Sequence, residues 1–506
     1  MLIRDCTLLG GGPASVHVEG GRIVQVASPD LSVPSGAEVI EANGGALLPG
    51  LTDSHCHPFE YGWLKRSVDL RGASNMVGVR LRLQAGVARA KPGDWVTGMG
   101  WDQERFPDRR MPSREDIDDI SPSNPVALTR ICGHIALLNT RAVDELGLAS
   151  RTGSEYERDP GGFLTGVVKE SALTDVFGRI PRSEERCAAD LQAVEVEAAR
   201  AGLTTMHCIL SPEGYREELA ALMALDAAGS LSLRYRVYIP PEAMDFVKEK
   251  GLRAKLAGDR LRMNGVKVYA DGSLGARTAA LREPYADDPS NLGILRHTDE
   301  ELSEVVAKAD AEGYQVVVHA IGDRAVEQAV LALSRIAGGG NPRRHRIEHA
   351  SLLPRDLRGM MAKAKLRATV QPLFITSDTW ASERLGEERV SDLYPLRSLL
   401  EDGIIASGSS DSPVESLNPI LGMWAAMTRG GSALPESLGL EAALSLYTSN
   451  ASSNGHDDIG GLVEGAPANL TLLDSSIEGI HPALLRKVGV LATVVDGTLV
   501  HCYGPS

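Results

Sequence analysis

A chain of 506 residues is longer than a single small fold and suits one large domain with a satellite. At 43% hydrophobic and 24% charged residues it has the composition of a folded soluble protein, which excludes disordered, collagen-like and repeat-array chains. The 52 Lys and Arg against 67 Asp and Glu leave a net charge of -15, a field that repels polyanions, so small solutes are the expected partners and nucleic acid is not.

The cysteines, Cys6, Cys56, Cys132, Cys187, Cys208 and Cys502, include no C-x-x-C pair, which fits a reducing compartment better than a disulfide framework. Arg4 and Asp5 put charges where a signal peptide needs an apolar stretch, and Val488–Val495, bracketed by Lys487 and Asp496, is too short to span a bilayer. A cytoplasmic protein without membrane contact is expected.

In chain order, residues 1–48 predict short strands broken by turns at Gly10-Gly11-Gly12 and Gly20-Gly21. Ala46–His55 then reads as the first strand of a parallel α/β sheet or barrel. From about residue 60 to 200 the pattern departs into extra strands (Trp95–Met99, Pro125–Arg130), Pro- and Asp-rich turns and a helix at Glu184–Ala201, an insertion or long lid. Alternation resumes with strands predicted at Thr204–Cys208, Gly265–Tyr269, Gln315–His319, Arg346–His349, Arg367–Pro372 and Ile404–Ser409. Helices are predicted at Asp299–Glu312, Asp323–Ile336 and Glu441–Tyr447. The tail returns to short strands around Asn469–Leu473, Leu491–Val495 and Leu499–His501, so residues 1–48 and 455–506 suit one composite β module and 49–454 the barrel.

In a barrel of parallel strands the functional side chains come from the strands' C-terminal ends. His55 and His57, two apart on an extended run, point the same way. Val316-Val317-Val318-His319 and Arg346-Ile347-Glu348-His349 each end an apolar run with an imidazole, and Ala406–Ser410 ends one with the carboxylate of Asp411. His319, His349 and Asp411 each alone read more readily as a core histidine or a capping aspartate, but with His55 and His57 at successive strand ends they form a donor set suited to Zn²⁺ and similar ions. The chain carries no H-E-x-x-H, G-x-S-x-G, P-loop or G-x-G-x-x-G motif.

The stretch Leu48-Pro49-Gly50-Leu51-Thr52-Asp53-Ser54-His55-Cys56-His57 resembles the first-strand signature of the metal-dependent amidohydrolase superfamily. Gly265–Ala279, His319–Ala325, Arg346–Ala350, Ser410–Pro413, Gly100-Trp101-Asp102 and Gly133-His134 are similar to its YtcJ-like branch, amidohydrolase family 3, over nearly the whole chain. The resemblance implies a distorted (β/α)8 TIM barrel with a small β-sandwich built from both termini, and a binuclear centre of two zinc ions. By the same resemblance His55, His57 and Asp411 bind one metal, His319 and His349 the other, and Lys267 bridges both after carboxylation by CO₂. A desolvated lysine has a lowered pKa, which favours the neutral amine such a reaction needs; an ordinary ion pair with Asp271 is the alternative. The implied activity is hydrolysis of a C–N bond in an N-acyl or N-formyl amide by metal-activated hydroxide, with Asp411 as proton acceptor and donor. His134, Arg277, Trp101 and Asp102 are the expected substrate contacts, and a homodimer is compatible. A mononuclear deaminase and a non-catalytic barrel scaffold are the competing readings. Gly465-Ala466-Pro467-Ala468-Asn469 departs from the family's usual Gly-Lys-x-Ala-Asp turn, away from the metal ligands.

Overall fold

Eight strands pair into one parallel sheet in the computed structural model, which describes residues 1–27, 31, 36–431, 435–457 and 461–503. In chain order they are Leu51–Cys56, Leu203–Ile209, Arg234–Ile239, Leu261–Tyr269, Gln315–Ala320, Arg346–His349, Arg367–Val370 and Ala406–Gly408, each hydrogen-bonded to the next. Just past the eighth strand the chain reaches back to the first. Asp411 N–H donates to His55 O at 2.9 Å and Ser410 N–H to Asp53 Oδ1 at 3.1 Å, which nearly closes the barrel.

Helices alternate with these strands for local reasons. In Asp323–Ile336 the buried residues Ala325, Val326, Ala329, Val330 and Leu333 recur at helical spacing and give one apolar face. Asp299–Ala311 starts at a capping box, with Thr298 Oγ1 accepting from Glu301 N–H at 3.2 Å and the Glu301 carboxylate accepting from Thr298 N–H at 2.8 Å.

Two strand expectations are corrected. The single run expected at Ala46–His55 is two strands, Ala46–Pro49 and Leu51–Cys56. They part at Gly50, where a Cβ would come within 2.3 Å of Thr204 Oγ1. Arg234–Ile239, whose two arginines alternate with other side chains, is a further barrel strand absent from the predicted set. Arg236 is fully buried and ion-paired with Asp457, and Arg234 Nη1 pairs with Asp496 Oδ1 at 3.0 Å.

The chain divides into two compact units, residues 1–59 with 191–506, and residues 60–190. In the first, both chain ends join in one eight-stranded mixed sheet, in which Ala46–Pro49 lies between Leu2–Leu8 and Leu470–Leu473. The β module expected from both chain ends is this sheet, over a core that includes Ile3, Val16, Ile23, Leu47, Leu472 and Val494. Its edge returns to the lead-in of a later strand, with Ile23 N–H donating to Ala466 O at 2.9 Å and Ala468 N–H to Gly21 O at 2.8 Å. The second unit has its own six-stranded sheet with a core on each face: Val126 and Leu128 pack on one side, Ala127 with Ala136 and Leu138 on the other. It ends at Asp190, inside the helix Glu184–Arg200, rather than near residue 200. Among the described residues no helix is long and apolar enough to cross a membrane.

Candidate metal centre

At the C-terminal end of the barrel, strands one, five and six and the turn after strand eight bring His55, His319, His349 and Asp411 together. Ligand atoms of His55, His349 and Asp411 lie within 4.8 Å of one another. Asp411 Oδ1 is 3.3 Å from Nε2 of both His55 and His57. The ring of His349 is 5.0 Å from that of His55 and 4.5 Å from that of His319, centroid to centroid. Lys267 Nζ, on the fourth strand, sits 3.4 Å from His55 Nε2.

The outward-facing ring atoms decide what the inward ones can do. His55 Nδ1 lies 2.6 Å from Glu348 Oε2, an acceptor-only carboxylate, so in the neutral ring the proton is on Nδ1 and Nε2 presents a lone pair. His349 Nδ1 is 2.8 Å from Gln371 Oε1, whose own Nε2 donates to Ser409 Oγ at 2.8 Å. That fixes the amide orientation and leaves His349 Nε2 bare. His319 Nε2 donates to Gly272 O at 2.9 Å, so its free lone pair is on Nδ1. A bare imidazole nitrogen 3.3 Å from a carboxylate oxygen is repulsive unless a proton or a metal cation lies between them. Imidazoles plus carboxylate, with outer nitrogens already hydrogen-bonded, fit a divalent metal such as zinc. Gln371→Leu is accordingly expected to weaken metal binding about 10- to 100-fold, read by competition against a chromophoric chelator.

Electrostatics agree with the geometry. Burial would raise the Asp411 carboxyl, but His349, His55 and His57 outweigh it and hold it well below the carboxylate range. Burial likewise opposes ionisation of Glu348, yet Arg346, with Nε 2.5 Å from Oε1, and His55 keep it ionised. Burial pulls Lys267 down to about 8 against the nearby charges of Glu348 and Asp411, so a sizeable fraction of neutral amine is present near neutral pH. His349 and Asp411 have left-handed backbone, φ 71° and 53°, and such strain in non-glycine residues gathers at functional sites.

The remaining predicted residues are placed differently. Arg277 has its guanidinium committed to Asp287, with Nη2 to Oδ2 at 2.7 Å. Trp101 corrects an expectation: it is buried in the core of the second unit and its indole N–H donates to Leu128 O at 2.7 Å, so its polar atom is already used. Asp102 pairs with Arg130 at 2.9 Å, and the exposed His134 lies 3.1 Å from Glu170. Sequence reasoning missed the supporting groups Glu348, Arg346, Gln371 and Asp271. The last accepts backbone N–H bonds from Ala280, Ile321 and Gly322 and lies 3.3 Å from His319 Nε2. Charged residues inside buried apolar strands, as in Arg346-Ile347-Glu348-His349, were the available signal.

Comparison with known proteins places the chain in a family. The chain is 31% identical over 517 residues to YtcJ of Bacillus subtilis (strain 168), covering 97% of this chain and 96% of that protein. It is 26% identical to the N-substituted formamide deformylase of Arthrobacter pascens, over 96% of this chain and 94% of that one. The solved structure of an uncharacterized metal-dependent hydrolase from Pyrococcus furiosus superposes with a TM-score of 0.82 at 31% identity, covering 94% of this chain and 99% of that one. The sequence profile described as the Amidohydrolase family matches residues 38–501, and the chain belongs to that family.

Proposed function

We propose that this chain is a metal-dependent hydrolase that cleaves the C–N bond of a small-molecule amide, an N-acyl or N-formyl amide. The observation that carries the reading is the convergence of His55, His349 and Asp411 with their supporting hydrogen bonds already in place. Similarity to a formamide deformylase supports the substrate class.

In this reading His55, His57 and Asp411 would hold one zinc ion and His319 and His349 a second, with a carboxylated Lys267 as a further ligand. Zinc supplies Lewis acidity and lowers the pKa of water from 15.7 to about 7. Asp411, ionised and anchored by its N–H to His55 O, accepts the proton of the attacking water and passes it to the leaving nitrogen. Glu348 and Gln371 keep the imidazole tautomers fixed through the cycle. For Lys267 to act as a ligand, its neutral ε-amine adds to CO₂: an N–C bond forms, one proton leaves, and a carbamate oxygen pair replaces a cation.

The compact three-donor set favours a second reading, a single-metal deaminase with Lys267 unmodified. Elemental analysis of wild type and Lys267→Ala, both expressed with bicarbonate, separates them. About two metals per chain, falling in the variant, is the expected result. One metal unaffected by the substitution would assign the single-metal reading, and none would assign a non-catalytic scaffold.

A further inference from the structure

The long loop after the fourth barrel strand, and the residues it meets, are rich in arginines, and nearly all are committed. Arg277 and Arg384 pair with Asp287, Arg282 with Glu327 and Asp356, Arg324 with Asp299, and Arg389 donates to the carbonyls of Glu283 and Pro284. Arg296 is the exception. Among the described residues its guanidinium has no carboxylate or carbonyl partner; it lies over the face of Tyr269, with Cζ 5.6 Å from the ring centroid.

Tyr269 places that cation. It ends the strand that carries Lys267, whose Nζ is 4.8 Å from the same ring centroid, and its ring is 5.4 Å from that of His319. The two distances to the shared ring cap the separation of Arg296 Cζ from Lys267 Nζ at about 10.4 Å. The N–H of Arg296 donates to Ala270 O at 2.8 Å, which fixes the backbone from which this exposed side chain reaches over the ring. A planar guanidinium with all its donors unspent matches a carboxylate through two parallel hydrogen bonds. In a chain of net charge -15, an anionic substrate needs such a local cation to be retained.

We propose that Arg296 recognises a carboxylate on the substrate, so that the amide cleaved by this centre is an anion at neutral pH. This rests on the reading of the site as a C–N hydrolase and names its substrate class. The probes are N-acetylglycine and its uncharged carboxamide, N-acetylglycinamide, titrated calorimetrically into metal-loaded wild type, Arg296→Ala and Arg296→Lys. The acid is expected to bind wild type more tightly than the carboxamide and to lose about 10- to 100-fold in Arg296→Ala, with a partial loss in Arg296→Lys and no change for the carboxamide. Equal weakening of both probes, no weakening of the acid, or no preference for the acid in wild type would each overturn the proposal. Turnover is scored separately on a panel of amides. Arg296-dependent binding of the acid without hydrolysis of any of them overturns the hydrolase reading and leaves anion recognition standing.

Discussion

Asp411→Asn is expected to lower kcat by about 10²- to 10⁴-fold, the range general acid–base groups contribute, on any amide the wild-type protein cleaves, while metal content stays near that of wild type. Three features make the substitution a clean test. Asparagine keeps a side-chain oxygen that can still ligate but has no basicity. It is among the few residues that tolerate left-handed backbone, so the φ of 53° at this position adds little strain. The backbone N–H bond to His55 O is untouched. Elemental analysis beside steady-state kinetics reads both halves of the expectation, and a variant with full kcat would remove Asp411 from the proton path.

Glu348→Ala carries the largest expected effect on stability, about 3–5 kcal/mol, because it leaves the Arg346 cation buried without its counter-charge. Arg346 and Glu348 are both fully buried, and the remaining arginine bonds, to Ser54 O at 3.0 Å, Tyr238 Oη at 3.1 Å, and His207 Nδ1 and Asn454 O at 3.4 Å, supply no negative charge. Glu348→Gln fares little better, since its amide offers a donor where two donors, Arg346 Nε and His55 Nδ1, already point. The measurement is the urea midpoint of metal-free protein across pH. Glu348 is held well below the ordinary ~4.3, so its contribution is fully present above that pH and is lost as pH falls through the folded-state value. The gap between wild type and Glu348→Ala should therefore be widest near neutrality and narrow in acid.

The barrel was legible in the sequence because parallel strands leave long β-branched runs and their helices leave capping and periodic signals. His55, His57, His319, His349 and Asp411 were legible for the same reason, as polar residues at the ends of such runs. What supports them was not. Glu348 is separated from His55 by 293 positions, and Gln371 from His349 by 22, so no local pattern joins either pair. Arg236 has its partner Asp457 221 positions away, so no local pattern marks that pair either. Arg277 looked available for substrate, although Asp287 takes it up ten residues later.

The break at Gly50 bears on how this enzyme can be cut. Leu51–Cys56, which delivers His55, continues directly from Ala46–Pro49, and that strand is clamped between the first strand of the chain and one from its last forty residues. Deleting either end would unzip a neighbour of the segment from which the first ligand hangs. No minimal catalytic barrel can be pared from this polypeptide by trimming its termini.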